Sequence, residues 1–190
     1  MREPTQNGEC PANLISGAVS AVGKDQIRGL AQIESLVLDY PYDARLHFLR
    51  GSLLAGLQRY GEAHEAMSRA VKIAPQYAVA RFQLGFLELT SGDPAAAEVT
   101  WSPLQDLSPD DALRIFVLGL NHLIRDEFGQ AIDVLTEGIA KNVENPTISN
   151  DMQLIIEKAG EALGAQQSTD EPISSAHLLL QQYASKMTKH

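Results

Sequence analysis

The chain has 190 residues, 44% of them hydrophobic and 21% charged, which suits one core of ordinary size or one short repeat array and argues against intrinsic disorder. Twenty-four acids against fifteen Lys and Arg give a formal charge of −9, which argues against a general nucleic-acid binder. Its one cysteine, Cys10, rules out an intrachain disulfide and a Cys-rich metal site, and apolar runs such as Leu178–Leu180 are far shorter than the ~20 residues of a membrane span.

In chain order, Met1 to Cys10 carries no apolar stretch of signal-peptide type. Residues 1–9 are expected to be flexible, Cys10 to be a free thiol near a mobile end, and the protein to be cytoplasmic. From Cys10 onward the chain repeats itself. Gly17, Gly51, Gly85 and Gly119 stand 34 residues apart, and Gly29, Ala63, Ala97 and Ala131 follow on the same interval. Pro41, Pro75 and Pro109 form a third column, with Leu36, Ala70, Leu104 and Gly138 a fourth. A period of this length is the signature of stacked supersecondary units.

Each unit reads as two helices. In the second, Leu46, Leu49, Leu53 and Leu57 make one apolar stripe, Arg59-Tyr60-Gly61 a turn, and Ala63, Met67, Ala70 and Val71 the second stripe. Small residues at Gly51 and Ala63 allow the two helices to approach closely, and the proline ends the second helix. Pro103, inside the second helix of the third unit, predicts a shortened or kinked helix with Trp101 filling the gap. After Pro146, Met152, Ile155, Ile156, Ala159 and Leu163 share one face of a helix over 147–163, which would cap the array. A polar linker over 164–172 leads to a last helix over 173–187, whose apolar seam of Ile173, Ala176, Leu180, Tyr183 and Met187 predicts a cap, a groove filler or a homodimer contact.

Gly51, Tyr60, Ala63, Ala70 and Pro75, with the 34-residue period, resemble the tetratricopeptide repeat (TPR). Ala78–Pro109 and Ala112–Val143 are similar, and Cys10–Pro41 is a weaker copy, so the resemblance covers about 10–146. The aromatic usual early in the first helix is replaced by Asn13, His47, Arg81 and Ile115. The resemblance implies an all-α fold, a right-handed superhelix of about four antiparallel helix pairs, whose first helices line a groove for a peptide or helix of another protein. On those helices Phe48, Phe82 and Phe116 are 34 residues apart, with Ser52, Phe86 and Leu120 one turn onward and Leu49, Gln83 and Val117 beside them. Arg45 is the one charged residue placed at the mouth of this groove. The implied site is therefore an aromatic ladder for apolar side chains, weighed against ordinary interhelix packing of the same rings. The Lys, Arg and Asn cluster with which some such domains hold a C-terminal carboxylate is missing.

Other chemistry finds less support. The segment from Gly17 to Asp25 has five residues between its glycines where a phosphate-binding loop has four, and Asp25 stands where Ser or Thr must meet magnesium. His47, His64, His122, His177 and His190 have no partner at ligand spacing. Glu62, Glu65, Asp110 and Asp111 fall at turns or helix starts, where acids favour the helix dipole. The expected function is a non-catalytic adaptor or scaffold with no cofactor or metal, whose partner is another protein. The alternatives are a small acidic secretion chaperone and a regulatory subunit of an enzyme complex.

Overall fold

The computed structural model describes residues 8–166, which are all-helical, with no strand among them. They divide into two compact units, one ending at Leu87 and the other beginning at Glu88. The single helix expected over 173–187, with its apolar seam, and most of the linker lie outside the described residues.

In the first unit, α1 (Ala12–Val22) packs on α2 (Gln26–Asp39) and α3 (Ala44–Gly56) on α4 (Tyr60–Ile73), with α2 also against α3; the first part of α5 (Ala78–Thr90) completes it. Its main core joins Leu30 and Ile33 of α2, Leu53 and Leu54 of α3, Ala63, Ala66 and Met67 of α4, and Leu84 and Leu87 of α5. The second unit holds α6 (Pro94–Trp101), a 3-10 segment (Ser102–Asp106), α7 (Ala112–Ile124), α8 (Phe128–Lys141) and α9 (Pro146–Gln166). Here α7 packs on α8 and α8 on α9. The apolar face of α9 buries Ile148, Met152, Ile155 and Ala159. That helix continues through Gln166, so the start of the stretch read as a linker from Gly164 is helical.

The repeat columns have physical roles. Asp43 and Asp111 cap α3 and α7 by accepting from the amides of Arg45 and Leu113, and Asp25 and Asp93 do the same for α2 and α6. Pro41, Pro75 and Pro109 all lie in the loops that follow the second helices. Two residues standing where the family has an aromatic explain themselves. The His47 ring Nε2 lies 2.9 Å from the Pro41 carbonyl, and Arg81 Nη2 donates to the Pro75 carbonyl at 3.0 Å, so each polar side chain fastens its helix to the preceding loop. Ile115, in the same column, is buried, whereas Asn13 is exposed.

The close approaches are at Gly51 and Gly119. A Cβ at Gly51 would meet Met67 Cγ at 2.6 Å and the Ala63 carbonyl oxygen at 3.1 Å; at Gly119 it would meet Leu135 Cγ and Cδ2 at 2.7 Å. Gly85 is also buried, as are Ala63, Ala97 and Ala131. The first pair differs. Gly17 has nothing within 4 Å, and the close approach moves to Gly29, whose Cβ would lie 2.6 Å from Val22 Cα. Pro103 acts as expected: α6 has only 8 residues before giving way to the 3-10 segment, against 14 in α4 and α8, and Trp101 is fully buried beside the break.

The turn between α3 and α4 falls earlier than the sequence suggested. Tyr60 and Gly61 already belong to α4, and Gln58 makes the turn at φ 62°. Gly92 (φ 90°) and Asp126 (φ 58°) repeat that left-handed residue at 34-residue intervals. The next residue donates five residues back each time: Arg59 to Leu54, Asp93 to Glu88 and Glu127 to His122. These are Schellman closures, in which glycine is favoured at the left-handed position. Gln58→Gly is therefore expected to raise the urea midpoint, with a gain of up to ~1 kcal/mol once the left-handed strain is relieved. An unchanged or lower midpoint would show that the glutamine already relaxes its turn.

Candidate functional site

The candidate surface on the first unit is built on α3 and α5. Phe48 is half-buried and meets the Tyr77 ring edge-on, with centroids 5.3 Å apart and planes at 62°. Both rings rest on the small core of Ala44, Ala70 and Ala80, with Val71, Ile73 and Ala74 beside them. Tyr77 was missed in the sequence because it precedes α5 and belongs to no apolar stripe. Ser52 and Gln83 are half-buried, while Leu49 packs into the main core.

The other rings correct the expectation of an open ladder. Phe82 is 0% exposed and Phe86 only 6%, and their rings stack nearly parallel at 6.2 Å. In the second unit Phe116, Val117 and Leu120 are all buried. The Phe116 ring lies over the backbone of Gly138, where a Cβ would approach two ring carbons to 2.6 Å. Helical spacing placed these residues on a shared column, but it does not distinguish a face turned to solvent from one turned to the next helix. Only Phe48, of the three rings in that column, keeps exposed area.

Arg45 is also committed elsewhere. Asp43 is buried and accepts from the Cys10 amide (2.8 Å), the Arg45 amide (2.9 Å) and the Arg45 guanidinium (2.6 and 3.0 Å). Arg45 Nη2 also donates to the Cys10 carbonyl at 2.9 Å. Together these bonds strap the segment before α1 onto the start of α3. Cys10, expected at a mobile end, is 2% exposed, and burial, with Asp43 nearby, pushes its thiol pKa up. Burial alone would raise the Asp43 carboxyl, but the hydrogen bonds from Arg45 and Cys10 outweigh it and hold the group below the usual carboxylate range.

Among the described residues, several other ionisable groups singled out in the sequence are engaged in caps and pairs. Glu62 accepts from Arg59 Nε and Nη2 at 2.7 Å each, Asp110 pairs with Lys141 at 2.5 Å, Asp111 caps α7, and His122 Nδ1 meets Glu127 at 2.5 Å. Gly17 lies within α1 and Asp25 caps α2, so that segment forms no phosphate-binding loop. No helix of the described residues is long and apolar enough to cross a membrane, and no three His, Cys, Asp or Glu among them are grouped to hold a metal ion.

The His47–Asp43 region predicts a pH dependence. Burial pushes the His47 pKa down, with Arg69 and Arg50 adding to it against the opposing Pro41 bond. Below about pH 6.5 the unfolded chain gains a proton there that the folded chain does not bind, so stability falls with pH. Asp43 adds a second loss: its contribution is whole above about pH 3.9 and disappears as pH falls through its lowered folded value. Urea midpoints measured from pH 8 downward should begin to fall near neutrality, and His47→Gln should flatten that first slope. An identical slope in the variant would assign it to other groups.

Comparison with known proteins agrees with this geometry. Residues 44–77 match the tetratricopeptide repeat model. That segment is a tetratricopeptide repeat. It contains α3, the Schellman turn, α4 and Tyr77, so the residues that carried the resemblance are those the family model recognises. Among solved structures, MamA from residue 41 to its end, from Desulfovibrio magneticus RS-1, is similar in fold, with a TM-score of 0.56. The match covers 84% of this chain and 96% of that one at 15% identity. No curated protein matches the chain.

Proposed function

We propose that the protein is a non-catalytic adaptor or scaffold, cytoplasmic and free of cofactor, that holds an apolar or amphipathic segment of another protein on the exposed face of α3 and α5. The observation that carries this reading is the partly exposed Phe48 ring, held edge-on by Tyr77 on an alanine-lined platform. Ordered aromatic rings lose little entropy when they bind, which is why they serve as anchors. Ser52 and Gln83, also half-buried, supply polar contacts at its margin. The repeat match over 44–77 supports protein binding in general.

Phe48→Ala tests the reading. Capture of the partner from its native lysate, quantified by mass spectrometry, should weaken about tenfold, the loss of one anchor worth ~1.4 kcal/mol. The unfolding free energy should fall by less than ~2 kcal/mol, since the ring is only partly buried. A fall of ~3–5 kcal/mol with capture unchanged would instead make Phe48 an ordinary core residue.

A further inference from the structure

We infer that the first helix pair carries a second docking surface, a cation-rimmed cleft between α1 and α2 that fits an amphipathic helix with an acidic flank from a partner protein. From Pro11 to Gly23 the sequence has no charged residue, yet Ala18 is the one buried residue of α1. Leu14 and Val19 are 41% and 47% exposed on that same helix. Between α1 and α2 lies an open cleft of about 410 Å³, with Gly17, Ser20 and Ala21 on one side and Gln32 on the other.

The repeat itself identifies what such a position receives. Leu54 and Ala66, each 34 residues after Ser20 and Gln32, are buried in the core that contains Leu30 and Ile33 of the preceding helix, α2. In the first pair, Ser20 and Gln32 stand exposed. The cleft is the place where a helix would pack if one preceded this pair. Its chemistry selects the occupant. Lys24 and Arg28 line the cleft and take part in no ion pair among the described residues, on a chain of charge −9. Asp25 also lines the cleft and is exposed, but its Oδ1 accepts from the amides of Ile27 and Arg28 as the cap of α2, which leaves Lys24 and Arg28 as two cations against one acid there. The small residues Gly17, Ser20 and Ala21 admit close approach by an apolar helix face, and carboxylates on its flank would meet Lys24 and Arg28. The site uses none of the Phe48 surface, so it stands apart from the proposed function.

A synthetic helical peptide of about 18 residues, long enough to hold its helix, with Leu and Ala on one face and Glu along the flank, is the probe. Its twin carries Lys for Glu. Fluorescence anisotropy with the full chain should show saturable binding of the Glu peptide at least about tenfold tighter than the twin. Lys24→Glu with Arg28→Glu should weaken it by about tenfold, and so should Gly17→Leu, which fills the cleft from a position where a Cβ meets nothing within 4 Å. Phe48→Ala should leave it unchanged. Absence of saturable binding, loss with Phe48→Ala, or loss with the charge reversal but not with Gly17→Leu would each overturn the assignment, the last by reducing it to diffuse surface charge.

Discussion

Replacing Asp43 with alanine is expected to lower the unfolding free energy by roughly 2–4 kcal/mol and to open Cys10 to thiol reagents under native conditions. The variant loses the cap of α3, an effect of about 1 kcal/mol, and leaves the buried Cys10 amide without an acceptor, which costs ~1–3 kcal/mol more. Arg45 is 40% exposed, so its guanidinium can turn to water and adds little further penalty. The strap over the start of α3 depends on this one carboxylate, because the Cys10 amide and the Arg45 amide and guanidinium all converge on it. Urea unfolding gives the energy, and the rate of Cys10 modification reports the strap directly. A thiol that stays as slow in Asp43→Ala as in the parent would mean that packing alone holds it.

Gly119→Leu should be comparably damaging, at the upper end of the ~1–3 kcal/mol typical of overpacking. The first atom added would lie 2.7 Å from Leu135 Cγ and 3.2 Å from its amide nitrogen, and Leu135 is itself fully buried. Even Gly119→Ala should lose stability, although alanine gains about 1 kcal/mol over glycine inside a helix. Gly160 in α9 is the control, since a Cβ there meets nothing within 4 Å and Gly160→Ala should stabilise by ~0.5–1 kcal/mol. Opposite signs at the two sites, read from urea midpoints, distinguish helix–helix contact from helix propensity. A neutral Gly119→Leu would mean that α7 and α8 separate without cost.

Much of this fold was legible because the repeat couples local chemistry to register. A proline column, a column of small residues facing the partner helix and apolar stripes at helical spacing each have a local physical reason, and together they located α3, α4, α7 and α8. The first pair was less legible. Gly17 keeps the repeat interval, but the contact has moved to Gly29 against the Val22 backbone, which spacing cannot reveal. The turn was misplaced because two of its three left-handed residues, Gln58 and Asp126, lack the glycine that marks the third at Gly92.

The site was less legible than the fold. A 34-residue interval placed Phe48, Phe82 and Phe116 in one column, yet the Phe116 ring fills the space that Gly138 leaves, a pairing between two elements. Phe82 stacks on Phe86 one turn along its own helix. Arg45 looked free because the Asp43 and Cys10 groups that hold it come from the helix cap and from a segment far away in sequence. Tyr77, in contrast, became part of the site only through its edge-on contact with Phe48.

Hydrogen–deuterium exchange of the full chain, with and without its captured partner, tests the central claim most directly. The account predicts added protection in peptides covering α3 and α5, Ala44–Gly56 and Ala78–Thr90, and its loss in Phe48→Ala. Protection confined to α4 and α8, or identical protection in parent and variant, would contradict it.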